Sequence, residues 1–374
     1  MLPSLSLPSL PSPGQLSDAA ANVFDKLFRG GLADLRPTPA RIIHEEPQCT
    51  VFRYLQGDGA GPDALPVLLV PPLAAPSLCF DLRRGHSLAE HLIGEGHPTY
   101  LVEYGAISFS DRELGLEHWV EDVIPTAVRQ VSEDAGGAPV QVVGWCLGGI
   151  MSLLSVAGDP SLPVNSVACV ASPFDFTRVR LMAPIRPLAN LTSGAIVTQL
   201  YRLMGGAPSP LVRRAFQLTS IDKELTRPIV MATRLHDRDF LAQLEAVDRL
   251  MASMHAYPGR TFGQLYHQFF RVNDLADGHL VLSDQEIDLA NVRVPVLSIA
   301  GETDVLAPQP AVHHVGELLT SAPEVRLESA PGGHLGVLTG RAARRTTWPS
   351  LDRFLKDVAR PDIGEADADL APAA

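Results

Sequence analysis

The residues best suited to chemistry surround one cysteine, Cys146. The segment Gly144-Trp145-Cys146-Leu147-Gly148-Gly149 fits the pattern Gly-x-nucleophile-x-Gly, in which the nucleophile stands on a tight turn between a strand and a helix. Glycines on both sides let neighbouring backbone pass, and the free N–H groups of the helix start favour a thiolate. A cysteine in a glycine-rich turn is also common as a structural residue, so this pattern alone leaves both interpretations open.

Two later residues complete a candidate catalytic triad. Asp304 follows an apolar run at residues 294–300, and His334 follows another at 325–327, within a glycine-rich loop. Each alone could be a helix cap or a loop residue. In the order nucleophile, acid, histidine, each at a strand end, they favour a triad. His334 would take the thiol proton and serve as acid and base, while Asp304 would fix its tautomer and stabilise its charged form.

An oxyanion hole needs two N–H donors close to the nucleophile. The backbone N–H of Leu147 is the first expected donor. The second should come from the loop at residues 71–75, where two prolines lack an N–H. That leaves Leu73 or Ala74, and we favour Leu73. A cysteine nucleophile suits acyl transfer from a thioester, because exchange between two thiol esters is nearly balanced in energy.

The elements that must position these residues alternate between apolar runs and helix-like stretches, which indicates a parallel sheet covered on both faces. We therefore predict an α/β-hydrolase fold, mostly parallel, with helices on both faces. Strands are predicted at 66–70, 99–102, 140–143, 164–170, 294–300 and 325–327, and helices at 15–32, 87–94, 118–132, 148–157, 310–321 and 347–358. In the first helix, Leu16, Ala19, Val23 and Leu27 predict an amphipathic helix lying on the body.

A long segment interrupts the alternation. Residues 172–283 are mostly helix-like and contain few strand-like runs, so we predict a helical cap inserted over the carboxyl edge of the sheet. The domain prediction is a disordered leader at 1–14, a first core part at 15–171, this cap, a second core part at 284–358 and an acidic disordered tail at 359–374. The cap contains apolar residues that are either plain core or, as a group, the lining of an acyl channel: Leu200, Tyr201, Leu203, Met204, Phe240, Tyr266, Phe269 and Phe270.

The composition excludes several function classes. The 374 residues carry 42 Asp plus Glu against 30 Lys plus Arg, a net charge of −12, which disfavours nucleic-acid binding. The four cysteines have no regular spacing, so neither a disulfide framework nor a zinc site is expected. No long apolar run predicts a transmembrane helix, and the start of the chain lacks the basic region of a secretory signal. A cytoplasmic protein without metal or cofactor is expected.

Taken together, the chain resembles the polyhydroxyalkanoate synthases over about residues 66–355. The nucleophile segment is an instance of their Gly-x-Cys-x-Gly-Gly box, and 171–176, 273–278 and 332–336 are similar to their segments near the nucleophile, acid and histidine. The length resembles the short synthase type that works with a second subunit. Three positions depart from the family pattern: Val305 replaces a histidine, Ala75 an asparagine, and Glu103-Tyr104 an Asp-Trp pair.

The resemblance implies a reaction. Cys146 would accept a 3-hydroxyacyl group from coenzyme A as a covalent acyl-cysteine, releasing CoA, and a hydroxyl activated by His334 would attack it and extend a polyester. The CoA thioester is a substrate, and no cofactor is implied. Expected partners are 3-hydroxyacyl-CoA, the growing chain, and a second synthase subunit or a second copy, with a location at the polyester granule surface. Alternatives are a thioesterase, esterase or polyester depolymerase using the same triad, or a non-catalytic granule-binding protein.

Overall fold

The fold is built around one eight-stranded sheet. A computed structural model of the protein describes residues 12–55, 64–179, 206–218 and 221–359. The strands are β1 (Ala40–Glu46), β2 (Cys49–Tyr54), β3 (Val67–Val70), β4 (Thr99–Glu103), β5 (Val140–Trp145), β6 (Val164–Val170), β7 (Val296–Gly301) and β8 (Val325–Ala330). Their spatial order is β1-β2-β4-β3-β5-β6-β7-β8, and all pairs are parallel except those made by β2. This order, together with the helices below, confirms the predicted α/β-hydrolase fold.

The helices connect and cover these strands. They are α1 (Pro13–Phe28), α2 (Leu88–Gly94), α3 (Ile124–Asp134), α4 (Leu147–Gly158), α5 (Ser209–Leu218), α6 (Ile221–Thr233), α7 (Arg238–Ala252), α8 (Gly259–Gln264), α9 (Gln309–His313), α10 (Val315–Leu318), α11 (Gly336–Thr339) and α12 (Thr347–Ala359). Wider π-helical turns run over His118–Val123 and Leu265–Val272. Short 3₁₀ turns lie at Ser77–Cys79, Phe109–Glu113, Phe176–Arg178, Asp274–Asp277, Leu289–Asn291 and Ala343–Arg345. No helix in the described ranges has both the length and the apolar character that crossing a bilayer requires.

Both faces of the sheet are buried. In β3, Leu68 and Val70 join the core on the side of α3 and α4, while Val67 and Leu69 join the core on the side of α2 and α12. All four side chains are fully buried. Because side chains alternate between the faces of a strand, a strand buried on both sides must be apolar throughout. This explains why continuous apolar runs correctly predicted β3 to β7, whereas β8, the partly exposed edge strand, had only a short run.

The two strands that the sequence analysis missed, β1 and β2, form the antiparallel edge. In β1, the apolar residues Ile42 and Ile43 lie between exposed Arg41 and exposed Glu45. The pairing with β2 shifts register between Ile42 and His44. An edge strand packs fewer side chains into the core, so its sequence carries a weaker apolar signal. The strands nevertheless extend the sheet beyond β4 without touching the predicted triad.

Helix α1 exists where it was predicted and lies on the body, but the face that meets the body is not the apolar one. It begins at Pro13, within the predicted leader, because Ser12 and Gln15 cap it reciprocally. Leu16, Val23 and Leu27 are 57%, 41% and 69% exposed, so the apolar stripe faces solvent. A polar face contacts the body instead. Residues 1–11 and 360–374, most of the predicted leader and tail, lie outside the described residues.

The described part of the predicted cap is mainly helical and packs in two places. Helix α7 meets the carboxyl edge of the sheet, where Gln243 Nε2 donates to the Thr339 carbonyl at 2.8 Å. A hairpin of His279–Leu282 and Gln285–Asp288, which spans the predicted end of the cap at residue 283, instead packs beside α4, with Gln285 Nε2 2.7 Å from the Gly158 carbonyl oxygen. A second short pair joins Gly206–Ala207 to Tyr257–Pro258.

The apolar residues predicted for the cap divide accordingly. Phe269 is fully buried and stacks on Phe176, with Phe270 against the same ring, which is the plain-core arrangement. Phe240 is partly buried in a small cluster at α7, and Tyr266 is also partly buried. Leu200, Tyr201, Leu203 and Met204 lie outside the described residues, so a channel formed by the whole group stays a prediction.

Candidate active site

Cys146 occupies the turn between β5 and α4 in a strained backbone conformation. Its φ is 53° and its ψ is −121°, a region that costs a non-glycine residue on the order of 1–3 kcal/mol. The turn is held in place because the Cys146 N–H donates to the Val170 carbonyl of β6 at 2.8 Å. The thiol is partly exposed, whereas its neighbours Trp145 and Leu147 are buried. The strain presents the sulfur at the carboxyl edge of the sheet.

The glycines around this turn have the steric role that the sequence predicted. A Cβ on Gly144 would lie 2.5 Å from both the Cα and the N of Gly149. A Cβ on Gly148 would collide with the Val70 carbonyl oxygen at the end of β3, and one on Gly149 would collide with Ser172 Oγ. Close passage of the helix start across the strand ends therefore requires glycine at each position, and that prediction is confirmed.

Asp304 and His334 come together from the ends of β7 and β8. His334 Nδ1 lies 2.8 Å from Asp304 Oδ2, and because a carboxylate only accepts, Nδ1–H is the donor. The other oxygen, Oδ1, accepts from the N–H groups of Leu306 and Ala307 at 2.8 and 2.9 Å. The Asp304 side chain is fully buried and that of His334 is 9% exposed. The chain after β7 thus holds the carboxylate in place. The carboxylate in turn holds the Nδ1 edge of the imidazole.

The Cys146 side chain is close enough to His334 to contribute to the pKa of the imidazole. Burial of His334 lowers its pKa, but the negative charges of Cys146 and Asp304 and its hydrogen bonds to both outweigh burial and raise the pKa to about 10. With Nδ1–H donated to Asp304, Nε2 is the nitrogen left for the sulfur. The raised pKa favours a protonated His334 beside the Cys146 side chain, and the imidazole can carry a proton to and from the reacting centre.

Trp145 supports His334 in a way that the sequence did not reveal. Its Nε1–H donates to the His334 carbonyl oxygen at 3.2 Å, and the two rings lie with centroids 5.3 Å apart. Tyr257, from the short strand before α8, packs against the same core as Cys146. Burial raises the pKa of Tyr257, and the charge of Cys146 adds to that rise. No spacing signal links either side chain to the triad.

The loop at residues 71–75 lies against the start of α4. The Leu147 N–H, as the first of the helix, has no acceptor within it, and Leu73 is buried nearby in the same core. Within the loop, the Ala75 N–H donates to the Pro72 carbonyl at 3.2 Å. The Ala74 carbonyl accepts from the His255 N–H at 2.8 Å, which ties the loop to the cap. Leu73 and Leu147 as oxyanion donors stay a prediction.

In the described chain, His91, Glu95 and Asp352 form one group of the kind that can hold a metal. One oxygen of each carboxylate has a partner, because His91 Nε2 is 2.7 Å from Asp352 Oδ2 and Lys356 Nζ is 2.5 Å from Glu95 Oε2, whereas Asp352 Oδ1 is buried without a hydrogen-bond partner. The ammonium of Lys356 supplies a cation at this place. The group joins α2 to α12 and does not include any predicted site residue.

Comparison with known proteins finds relatives that cover most of the chain. No family model matches the chain. It is 26% identical over 336 residues to the poly(3-hydroxyalkanoate) polymerase subunit PhaC of Allochromatium vinosum, covering 89% of this chain and 92% of that one. It is 25% identical to the PhaC subunits of Thiocystis violacea, over 89% of this chain and 92% of that one, and of a Synechocystis species, over 89% and 91%.

Solved structures bear on the fold alone. The crystal structure of the non-heme bromoperoxidase BpoC of Mycobacterium tuberculosis is similar with a TM-score of 0.51 at 15% identity, covering 84% of this chain and 98% of that one. The relatives are named as subunits of a polymerase, and the fold has the strand order and nucleophile turn described above. The chain is therefore similar over most of its length to the PhaC subunits of poly(3-hydroxyalkanoate) polymerases, and it has the α/β-hydrolase fold.

Proposed function

We propose that the protein polymerises 3-hydroxyacyl groups delivered by coenzyme A, with Cys146, His334 and Asp304 as its catalytic triad. The observation that carries this proposal is the strained Cys146 turn facing His334, whose far nitrogen is 2.8 Å from Asp304. A cysteine at this position exchanges acyl groups between thioesters at little cost in energy, and the relatives that share most of the chain's length are named polymerase subunits.

The first half-reaction loads the enzyme. The Cys146 sulfur, as thiolate, attacks the thioester carbonyl carbon, and the N–H groups of Leu147 and Leu73 stabilise the resulting oxyanion. The carbon–sulfur bond to coenzyme A then breaks. The departing thiolate takes the proton held on His334, so CoA leaves as a thiol and the acyl group stays on Cys146. Asp304 stabilises the imidazolium before that transfer.

The second half-reaction lengthens the chain. The neutral His334 now accepts the proton of a hydroxyl on another 3-hydroxyacyl unit or on the growing polymer. The hydroxyl oxygen attacks the acyl-cysteine carbonyl, an ester bond forms, and the carbon–sulfur bond to Cys146 breaks. The thiolate and the protonated His334 are restored. No cofactor is needed, since the thioester supplies the activated acyl group.

The proposal extends to partners and location. The relatives are named as subunits, which supports a second subunit or a second copy as a working partner. A place in the cytoplasm at the surface of its polyester follows from a CoA substrate and an insoluble product. The acyl-cysteine would be equally open to water, so a thioesterase, esterase or depolymerase remains the competing function.

Incubation with 3-hydroxybutyryl-CoA, with and without a candidate second subunit, tests the proposal. We expect CoA release together with insoluble polyester. Release of CoA with only free 3-hydroxybutyrate would overturn it in favour of a hydrolase. Cys146→Ala should abolish turnover, whereas Cys49→Ala, the same change at a buried thiol in β2, should not. Unchanged CoA release by Cys146→Ala would refute the assigned nucleophile.

A further inference from the structure

Two exposed arginines stand immediately before helix α12. Arg344 and Arg345 belong to the 3₁₀ turn that leads into the helix, and both side chains are exposed. Their neighbour Arg341 pairs with Asp237 and Asp239. Within the described part of the chain, no carboxylate lies within ion-pairing distance of Arg344 or Arg345. Two adjacent positive charges therefore remain uncompensated in a chain whose net charge is −12.

The start of α12 adds to this positive charge. The first N–H groups of a helix have no acceptor within it and form the positive end of its dipole, and the first turn of α12 contains no acidic residue. Its first residue, Thr347, is fully buried, and its Oγ1 has no hydrogen-bond partner among the described residues. Burial lowers the pKa of nearby His86, and the charges of Arg83 and Arg344 lower it further. The charge of Arg344 thus acts on its surroundings.

Contacts at the other end of α12 place its start at the catalytic edge. Gln141 Nε2 donates to the Leu355 carbonyl at 2.7 Å, and Asn165 Nδ2 donates to the Val358 carbonyl at 3.1 Å. Gln141 and Asn165 are the second residues of β5 and β6, so the last turn of α12 lies at the amino ends of these strands. A helix of 13 residues is about 20 Å long. Its start therefore reaches the carboxyl ends, where Cys146 follows β5.

The start of α12 is also joined to the histidine loop. Trp348 Nε1 donates to the Leu338 carbonyl at 2.9 Å. Leu338 belongs to α11, which begins two residues after His334. Arg344 and Arg345 lie on the chain between these two helices. The uncompensated charges and the triad histidine consequently share one continuous, internally bonded segment.

This combination suits a phosphate group. A phosphate ester carries about −1.5 to −2 charges at pH 7, guanidinium groups bind it in a bidentate manner, and helix starts bind it through free N–H groups. In a coenzyme A thioester, the long pantetheine arm separates the phosphates from the reacting carbonyl, so they would lie beside the thiol and not on it. Two arginines fall short of the about four to eight cations that attach a chain to an anionic membrane.

We propose that Arg344, Arg345 and the start of α12, which we call the arginine patch, bind the phosphates of the coenzyme A thioester while its acyl end reaches Cys146. This inference rests on the proposed function, which names that thioester as substrate. The patch attracts an anion to an acidic protein and holds it. Because the phosphates take no part in the chemistry, this binding lowers KM and leaves kcat unchanged.

The test compares two substrates that differ in the phosphates. The patch variant carries Arg344→Gln and Arg345→Gln in the full chain. Turnover of 3-hydroxybutyryl-CoA and of 3-hydroxybutyryl-N-acetylcysteamine, which lacks the phosphates, is followed as thiol release. We expect KM for the CoA thioester to rise at least about tenfold with kcat within about twofold. Turnover of the N-acetylcysteamine thioester should stay within about twofold, which also shows that the variant is folded.

Two further variants separate local charge from net charge. Arg344→Lys with Arg345→Lys keeps the charge and loses the bidentate fork, so KM should rise only about threefold. The matched control removes two charges at the opposite edge, with Arg129→Gln, which ends a pair with Asp159 after α4, and Arg293→Gln, which precedes β7. Its KM should stay within about twofold of the wild-type value. Added salt should reduce the difference between wild type and patch variant.

Binding without turnover is measured with coenzyme A itself. In the Cys146→Ala background, calorimetry should show about tenfold weaker binding when the patch is also changed. If the patch variant does not fold, Arg345→Gln alone should still raise KM about threefold. An equal rise in KM for both thioesters would overturn the proposal. So would the same rise in the control, or an unchanged KM with loss of binding to anionic phospholipid vesicles.

The two proposals can fail separately. Patch-dependent binding of coenzyme A without polymer formation from its thioester would contradict the proposed function only. Polymer formation with a KM that does not depend on the patch would contradict this inference only.

Discussion

The indole Nε1 of Trp145 lies 3.2 Å from the carbonyl oxygen of His334, and the indole ring lies beside the imidazole at a centroid distance of 5.3 Å. One side chain therefore holds both the backbone and the ring of the histidine. Trp145 is itself buried and directly precedes Cys146. The nucleophile turn and the histidine loop are thus joined by a contact that does not involve the thiol.

This contact makes Trp145 a positioning residue. Trp145→Phe should keep the ring contact and lose the N–H donor, lowering kcat about fivefold, the value of one hydrogen bond. Trp145→Leu should lose both contacts and cost about 10- to 100-fold. Because an aromatic face stabilises a protonated imidazole, Trp145→Leu should also weaken the positive charge that favours the Cys146 thiolate, which should move the pH profile of Cys146 alkylation to higher pH.

The matched control is Trp348→Phe. Trp348 also donates its Nε1–H to a backbone carbonyl, that of Leu338 at 2.9 Å, and lies beside His86 and His91. It makes no contact of this kind with His334, so the alkylation profile should not change. An unaltered rate and profile in both Trp145 variants would contradict the assigned role.

Asp304→Asn should abolish most activity while the protein stays folded. An asparagine presents an N–H₂ group or a weak acceptor to His334 Nδ1, so the imidazole loses its fixed tautomer and the stabilisation of its charged form. We expect kcat to fall by about 10³- to 10⁴-fold. The amide oxygen can still accept from Leu306 and Ala307, so the melting temperature should change by only a few degrees, about 1 kcal/mol.

Asp352→Asn is the control for this change, since Asp352 makes the same kind of contact with His91 at 2.7 Å. It joins two helices away from the thiol and should leave turnover unaffected. Comparable loss of activity in both variants would show that the Asp304 effect is structural and not catalytic.

The triad residues could be found from the sequence because each follows a strand of the parallel part of the sheet. The strands before Cys146 and Asp304 are buried on both faces, the strand before His334 is a partly exposed edge strand, and parallel strands end at the same edge. The positions of Cys146, Asp304 and His334 then follow from counting a few residues past each strand. Their catalytic roles stay a prediction until measured.

What the sequence could not give depends on contacts between distant residues. Trp145 and His334 are separated by 189 residues, and no spacing rule connects them. In α1 the periodicity correctly gave one apolar face, but it cannot say whether that face meets the body or the solvent. There the hydrogen bonds of Asn22 and Gln15 to the segment before α7 determined the orientation, and a pattern read within one helix does not contain them.

The raised pKa of His334 predicts a specific pH dependence. Its folded-state pKa of about 10 lies above the ordinary value of 6.5, so folding favours the protonated form. The stabilising contribution is complete below about pH 6.5 and is lost as pH rises through about 10. We expect the difference in unfolding free energy between wild type and His334→Gln to shrink over that window in chemical denaturation.

The charge of Cys146 contributes to this shift, so Cys146→Ala should lower the pKa of His334 in an NMR titration of the imidazole. Asp304 still raises the pKa in that variant, which should keep it above the value measured in the Cys146→Ala, Asp304→Asn double variant. An unchanged pKa after loss of the sulfur would contradict the contact between the two side chains.

Gly144→Ala and Gly148→Ala should disturb the nucleophile turn. The added methyl group would meet the backbone of Gly149 in the first variant and the Val70 carbonyl in the second. Neither backbone can move without shifting α4, so we expect a loss of about 1–3 kcal/mol in stability together with loss of Cys146 reactivity. Gly94→Ala is the control, because nothing lies within 4 Å of its Cβ position at the end of α2. It should keep full activity.

The four thiols should differ sharply towards an alkylating reagent. Cys49, Cys79 and Cys169 are buried, and burial raises the pKa of each, that of Cys49 to about 12. Cys146 is partly exposed and faces a protonated histidine, and the thiolate is the form that reacts. Brief treatment with iodoacetamide at pH 7 should therefore add one label, at Cys146, as located by peptide mass spectrometry. Unfolding in denaturant at higher pH should expose the other three, and labelling of Cys79 before Cys146 in the native protein would contradict this assignment.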